Sequence, residues 1–597
     1  MPYFPTLAET YSTQQVTDVF QGYNHNMKIG DGEFYDMKNL TSSFYPLFAN
    51  RGKRGTVSNL SAPRALLAKS KLAYIEGTSL YYAEQDLTSY ITAKGFSISA
   101  NEKMLPKQLV SMGAYIVIYP DKLYINTENY TDCGSIDASF STTKDAEVKY
   151  TMCKVDGTEY DTPTIGTAPP DNPNNGALWI DTSTSVHTLN QYSGNSSMWT
   201  PIATVYTKIS YAGIGKSFAK YDGVTLSGCS AADSVIEKQI SALNGSKIIY
   251  DRGDDYIIIV GIIDQAYTQT AGSVTVARTM PDLDFITEAE NRLWGCKYGL
   301  VNGQTVNEIY CCALGDFKNW NQFLHVSTDS WRASVGTDGE WTGAVTHLGY
   351  PIFFKENCLH KVYISSSGAH QIADTACRGV QKGSNNSLVV VNETLYFKSV
   401  TDICAYDGSL PVSVSAQLGT ERYFEAVAGS IGEKYYVSMK DANENWHMFA
   451  YDTLKGFWHR EDDIHAMQFA RCNGELYYID ADTNALMCVG GSTGTPEDAV
   501  SWSATTGVMG YNYVEQKYIS RFNLRMRLPI GSVADMYIQY DSDGIWHHVG
   551  HMIGTGTKTF MLPVRPRRCD HFQFKIEGTG DIRIYSFAKV LEVGSDG

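Results

Sequence analysis

An aromatic run, a polar turn and a second aromatic run recur along this chain about every 40–50 residues, and that recurrence limits what the chain can fold into. The clearest copy covers 433–472. EKYYVSM (433–439) reads as a strand, the segment Asp441 to Asn445 as a turn, and Trp446 to Tyr451 as a second strand. A turn from Asp452 to Gly456, a strand from Phe457 to Arg460 and the run AMQFARC (466–472) follow at once. Short aromatic or β-branched runs between Gly, Asn and Asp clusters favour hairpins, because the flat side chains pack on a pleat and the turn residues tolerate tight backbone angles. Four such strands in sequence order make an antiparallel meander the size of one propeller blade.

The same grammar returns in SKLAYIEGTSLYYAEQ (70–85), AYIVIYPDKLYINT (114–127), EAENRLWGCKYGL (288–300), GYPIFFKENCLHKVYI (349–364), NETLYFKSVTDICAYDG (392–408) and GELYYIDADTNALMCV (474–489). The fold class expected is therefore all-β, a β-propeller of six or seven blades. Residues 61–145 would hold its first blades and 280–490 the rest. An N-terminal segment, 1–60, would pair into the last blade and close the ring. Two small β modules are expected between the blades, the first at 146–208 because that stretch is rich in Pro, Asn, Ser and Thr. The second, at 209–279, is expected to be a small barrel with one helix, AADSVIEKQISALNG (231–245), whose Ile236, Ile240 and Leu243 share a face. After the GGSTGTPEDA linker the chain alternates cleanly, so 505–597 is expected to form a β-sandwich. Trp320, Trp341, Trp446, Trp458 and Trp546 mostly follow turn residues. Covering the seams between blades is the expected role, and a sugar-stacking platform the alternative.

Composition narrows the function. Lys and Arg total 48 against 64 Asp and Glu, a net charge of −16, which disfavours a surface that grips nucleic acid through its phosphates. No apolar run reaches the ~20 residues that span a bilayer, and no basic or apolar leader opens the chain. The 12 cysteines form no Cys-x-x-Cys pair, and adjacent Cys311 and Cys312 suit buried reduced thiols better than a metal or disulfide site. GIGKSF (213–218) imitates the end of a phosphate loop, but Ser210 stands where the loop needs glycine and a strand follows where it needs a helix. His547, His548 and His551 cluster, as do His447, His459 and His465; alternation puts 547 and 551 on one side of a strand, and solvent-facing roles are expected. TDGEW (337–341) and SDGIW (542–546) are too short for the Asp-box of sialidase-like propellers and read as hairpin turns. No catalytic, cofactor-binding or metal-binding residue is assigned, no cofactor is expected, and the chain is expected not to be an enzyme.

Three stretches carry a resemblance. FQGYNHNMKIGDGEFYDMKNLTSSFYPLFANRGKRG (20–55), CCALGDFKNWNQF with STDSWRASVGTDGEWTGAVTHLGYPIFFKEN (311–357) and LPVRPRRCDHFQFKIEGTGDIRIYSFAKVLEVGSD (562–596) resemble β-propeller virion proteins of tailed bacteriophages, of the tail-nozzle, tail-tubular and packaged-DNA-stabilisation type. The resemblance implies a structural ring subunit of the tail nozzle or head–tail conduit that retains and conducts DNA. It implies a homo-hexamer beside portal, adaptor and other tail proteins, located in the virion tail and assembled in the host cytoplasm. DNA would pass transiently and without sequence preference along an acidic or neutral channel. The basic clusters Arg51 to Arg54 and Arg565 to Arg568 are then expected to face neighbouring protein, with plain solvation the alternative. The competing function is a glycan-binding or glycan-cleaving propeller at the host surface.

Overall fold

Residues 11–100, 107–324, 326–365 and 368–593 are described in a computed structural model of the chain, so the first ten residues and the GSDG ending lie outside it. Strand accounts for 51% of the chain and helix for 3%. The protein is an all-β propeller with inserted β modules and a C-terminal sandwich. Seven four-stranded antiparallel meanders follow one another at 63–86, 108–135, 285–334, 343–376, 389–413, 423–462 and 466–488, the last completed by the Gly55–Asn59 strand. We call them blades one to seven. Leu486 pairs with Ser58 and Cys488 with Gly55, so a strand from the N-terminal region shuts the ring.

Polar residues on or just before the inner strands reach across several of the seams and help hold the blades side by side. Gln468 Oε1 of blade seven accepts the Leu66 N–H of blade one at 2.9 Å. Gln108 of blade two bonds the Asp284 carbonyl and the Ile286 N–H of blade three, each at 3.2 Å. The Thr287 and Thr346 hydroxyls lie 3.1 Å apart between blades three and four, and Ser384 Oγ accepts the Ala426 N–H at 3.0 Å between five and six. Apolar clusters fill the remaining seam volume; Trp320 packs with Met112, Val117 and Met280, and Trp341 with Ala289, Trp294 and Phe353. Trp458 sits elsewhere, against Tyr451 in the core shared with the sandwich, and Trp446 stacks on His465 at 3.8 Å. The tryptophans therefore do not occupy equivalent blade positions.

The two insertions divide the chain differently from the boundary expected at 208/209. That boundary runs through the Tyr206–Ser210 strand, which pairs with Val148–Cys153 on one side and Tyr256–Val260 on the other. One module is a pair of sheets drawn from 138–153 and 206–278, closed on a common core of Tyr150, Ile209, Val224, Leu226, Ile257 and Val276. The other is a four-stranded sheet, Thr164–Gly166 to Met198–Pro201, nested inside it. The helix shortens to Glu237–Ser241, with Ile240 buried and Ile236 and Leu243 beside it in the same core.

The sandwich also recruits residues far from 505–597. Its first strand is Ser501–Thr506, and its sheets include Tyr11–Thr17, Glu33–Lys38, Leu40–Thr41 and Phe48–Asn50. Glu33–Lys38 pairs with Ser501–Thr506, while Gly22–Tyr23 joins it to Trp458 of blade six. Blade six and one face of the sandwich are consequently a single ten-stranded sheet. The N-terminal segment thus does more than close the ring.

An ion network fixes this junction. Arg54 is buried, with Nη2 2.7 Å from Glu461 and Nη1 2.7 Å from Asp462 and 3.2 Å from the Tyr478 hydroxyl. Arg51 pairs with Glu497 and bonds Asn39 Oδ1 at 2.7 Å. Burial opposes the Arg54 charge, but Asp462, Tyr478 and Glu461 together hold the guanidinium protonated well above its usual range. Burial likewise pushes Glu497 up, and the hydrogen bonds from Arg51 and the Arg54 N–H outweigh it, so its carboxyl sits below the usual value. Arg51 and Arg54 are therefore internal, which corrects the expectation that they face a neighbouring protein or solvent. Arg565, Arg567 and Arg568 are exposed in a sandwich loop.

Arg54→Met removes the nearest cation from the buried Glu461 and Asp462, leaving them to Arg51, 4.0 and 3.5 Å away. It is expected to cost about 3–5 kcal/mol of unfolding free energy at pH 7, read by denaturant titration.

Candidate functional site

The seven inner strands surround an axial cavity of about 1150 Å³. In a meander propeller, the N-terminal end of every inner strand and the connection leading into it lie on one face. That face receives Lys107 and Gln108 from blade two and Asp284 and Phe285 from blade three. Glu340, Trp341 and Thr342 enter blade four, and Lys382, Asn385 and Asn386 enter blade five. Blades six and seven line the cavity with Ser430, Gln468, Phe469 and Arg471, of which Ser430 and Arg471 stand near the C-terminal ends of their inner strands, toward the opposite face. The two-sheet insertion also leaves the propeller here, between the blade-two and blade-three strands Cys133–Ser135 and Phe285–Ala289.

Most charges on the wall are neutralised in place. Asp284 accepts from Lys297 Nζ at 2.7 Å and from the Tyr298 N–H at 2.8 Å. Glu340 pairs with Lys382 at 2.5 Å, and the contact raises the lysine's pKa. Lys107 is buried against Asp121 and bonds Ser99 Oγ at 3.1 Å. Arg471 is exposed to the cavity.

Two wall groups behave differently. Trp341 is 4% exposed and Thr342 3%, yet Trp341 Nε1 and Thr342 Oγ1 have no hydrogen-bond partner. A buried donor without a partner costs about 1–3 kcal/mol. The faces and edges of the Trp341 ring are occupied by packing. Lys355 Nζ lies 4.6 Å from its centroid, and Phe353 and His360 meet it edge-on at 6.0 and 5.0 Å. The wall thus combines hydroxyl, amide and indole groups with Tyr298, Phe285 and Phe469. Such a surface suits a polar, hydroxyl-rich ligand.

Neither Asp284 nor Glu340 stands out in the sequence. The one signal was TDGEW (337–341), which connects the outer strand of blade three to the inner strand of blade four and delivers Glu340 and Trp341 to the axis. Thr337 anchors it, accepting from Lys355 Nζ at 2.6 Å through its carbonyl. SDGIW (542–546) is a turn of the sandwich, leading into the His547–Ile553 strand. GIGKSF is a series of turns whose Gly213 and Gly215 N–H groups bond Asp255 and Asp254, so no helix opens to cradle a phosphate.

The histidines separate by environment. A register shift after Met536 turns His548, not His547, toward the side of His551. Both bond Asp535 Oδ1 at 2.9 Å. Partial burial raises the Asp535 pKa, but these two hydrogen bonds prevail and hold it below the usual carboxylate range. His459 is buried, which drives its pKa down to about 3 and corrects the expectation of a solvent-facing ring. Among the described residues no group of three or more His, Cys, Asp and Glu is placed to hold a metal ion.

No protein-family model matches the chain, and no curated protein matches it. Solved structures do. An exo-β-1,3-galactanase from Phanerochaete chrysosporium is 9% identical over 50% of this chain and 95% of its own, with a TM-score of 0.22. A protein described as a 6-phosphogluconolactonase from Bacteroides fragilis is 11% identical over 60% and 98%, with a TM-score of 0.22. An engineered family 43 glycoside hydrolase with endo-xylanase and exo-arabinofuranosidase activity is 9% identical over 51% and 97%, at 0.20. Glycoside hydrolases among the matched structures run against the expectation that the chain is not an enzyme, and that expectation is withdrawn. At such TM-scores the likeness assigns no reaction or substrate to this chain.

All 12 cysteines are free, and ten of them are buried. Burial pushes Cys311 up to about 12 and Cys153 to about 11. Thiolate, not thiol, reacts, so the folded protein should resist iodoacetamide at pH 8. Intact-mass measurement is expected to show Cys358 and Cys377, the two partly exposed thiols, modified first, and all 12 only after denaturation.

Proposed function

We propose that this chain is a structural virion protein of a tailed bacteriophage, one subunit of a ring at the tail nozzle or head–tail conduit that retains and conducts DNA. The observation that carries this reading is the continuity of blade six with the sandwich through the segment 20–55, one of the three stretches that bear the sequence resemblance. A conduit wall under internal pressure needs subunits that transmit load without hinging. A shared sheet does this, because bending it would break a ladder of backbone hydrogen bonds. The ring is a homo-hexamer, with portal, adaptor and other tail proteins as neighbours. Six copies carry six times −16, or −96 formal charges. Only charges within roughly 8–10 Å of the passing duplex act on it at physiological salt. An acidic or neutral wall repels phosphates and leaves DNA free to slide.

A second reading, a glycan-binding or glycan-cleaving propeller at the host surface, is favoured by the axial cavity and its unpartnered Trp341 and Thr342 groups.

Labelling the chain in cells that produce it together with phage particles, then purifying and imaging the particles, tests the first reading. Six copies on the tail axis are expected, in a ring of about 400 kDa, six times 66.1 kDa. Absence from the particle, or a channel wall of Lys and Arg, would contradict it.

A further inference from the structure

We propose that the axial cavity is a saccharide-binding site in which the Trp341 indole N–H and the Thr342 hydroxyl are the capturing groups. This inference rests on the glycan-binding reading and deepens it by naming the site and the ligand class. Both groups are more than nine-tenths buried, line the cavity and find no acceptor or donor in the protein. Of the eight buried side-chain polar atoms without a partner among the described residues, His360 Nδ1 included, these are the two whose residues line the cavity.

Three features fix the ligand class. The cavity, about 1150 Å³, exceeds the ~300–1,000 Å³ usual for a small metabolite, so an oligosaccharide fits it better than a single sugar. The wall's carboxylates Asp284 and Glu340 are each engaged by a lysine, whereas Arg471 is exposed to the cavity, so the charge left free is positive and a cationic ligand is disfavoured. The lining brings hydroxyl and amide groups (Thr342, Ser430, Asn385, Asn386) together with the rings of Tyr298, Phe285 and Phe469. Sugars present that same combination, hydroxyls at the edge and C–H groups on the face. A hydroxyl-rich oligosaccharide, neutral or acidic, is the ligand that this wall recognises.

The test uses the full chain on an array of defined neutral and acidic bacterial-surface oligosaccharides, followed by calorimetric titration of each retained glycan. Thr342→Val and Trp341→Phe keep the packing shape and remove the polar atom. Binding of an oligosaccharide is expected, weakened about tenfold by either variant. Because neither group is bonded inside the protein, Thr342→Val is expected to melt at or above the wild-type temperature; a structural role for the hydroxyl would lower it. Glycan binding unchanged in both variants would overturn this site assignment while leaving the glycan-binding reading intact. Retention of no oligosaccharide at all would overturn both.

Discussion

Whether this chain is two bodies or one depends on a few backbone hydrogen bonds made by its N-terminal segment. Gly22–Tyr23 lies against Trp458 at the outer edge of blade six, and Glu33–Lys38 carries the ladder on into the sandwich. Gly22 is admitted because a Cβ there would collide with the Trp458 carbonyl oxygen and with the Phe457 ring, and because its φ is +80°. The segment then runs through the sandwich and returns to close blade seven. An exposed strand edge invites pairing with another chain, and here the blade-six edge is covered within the molecule.

The buried ion network belongs to the same constraint. Arg51 and Arg54 come from the N-terminal segment, Glu461 and Asp462 from blade six, Tyr478 from blade seven and Glu497 from the linker to the sandwich. A buried pair is weak evidence for net stability, since desolvation offsets much of the Coulombic gain, but removing one partner is costly. Its effect is to specify one arrangement of four chain segments. The inserted modules are anchored more lightly, through Asn319, which bonds the Gly223 N–H at 2.6 Å and the Tyr221 carbonyl at 3.1 Å.

Much of this was legible in the sequence, and the failures have physical causes. Blade grammar survives because each meander is local, so period-2 aromatic runs and their turns report it directly. The pairing of 148–153 with 206–210 was not legible, because a strand's neighbour is set by long-range register that composition does not record. Arg51 and Arg54 read as a surface cluster because their carboxylate partners stand more than 400 residues away in sequence. Alternation paired His547 with His551, whereas a bulge shifts the register and pairs His548 with His551. Trp341 was visible as a seam or stacking residue and Thr342 not at all, since nothing in TDGEW or the threonine after it tells that the indole N–H and the hydroxyl go unpartnered.

Propeller and sandwich should behave as one mechanical unit, and native-state hydrogen exchange on the full chain measures that unity directly. Amides of Trp446–Asp452 in blade six and Phe572–Thr579 in the sandwich should exchange with the same opening free energy, alongside a single calorimetric transition. Two transitions, with the sandwich amides exposed while those of blade six stay protected, would contradict the claim.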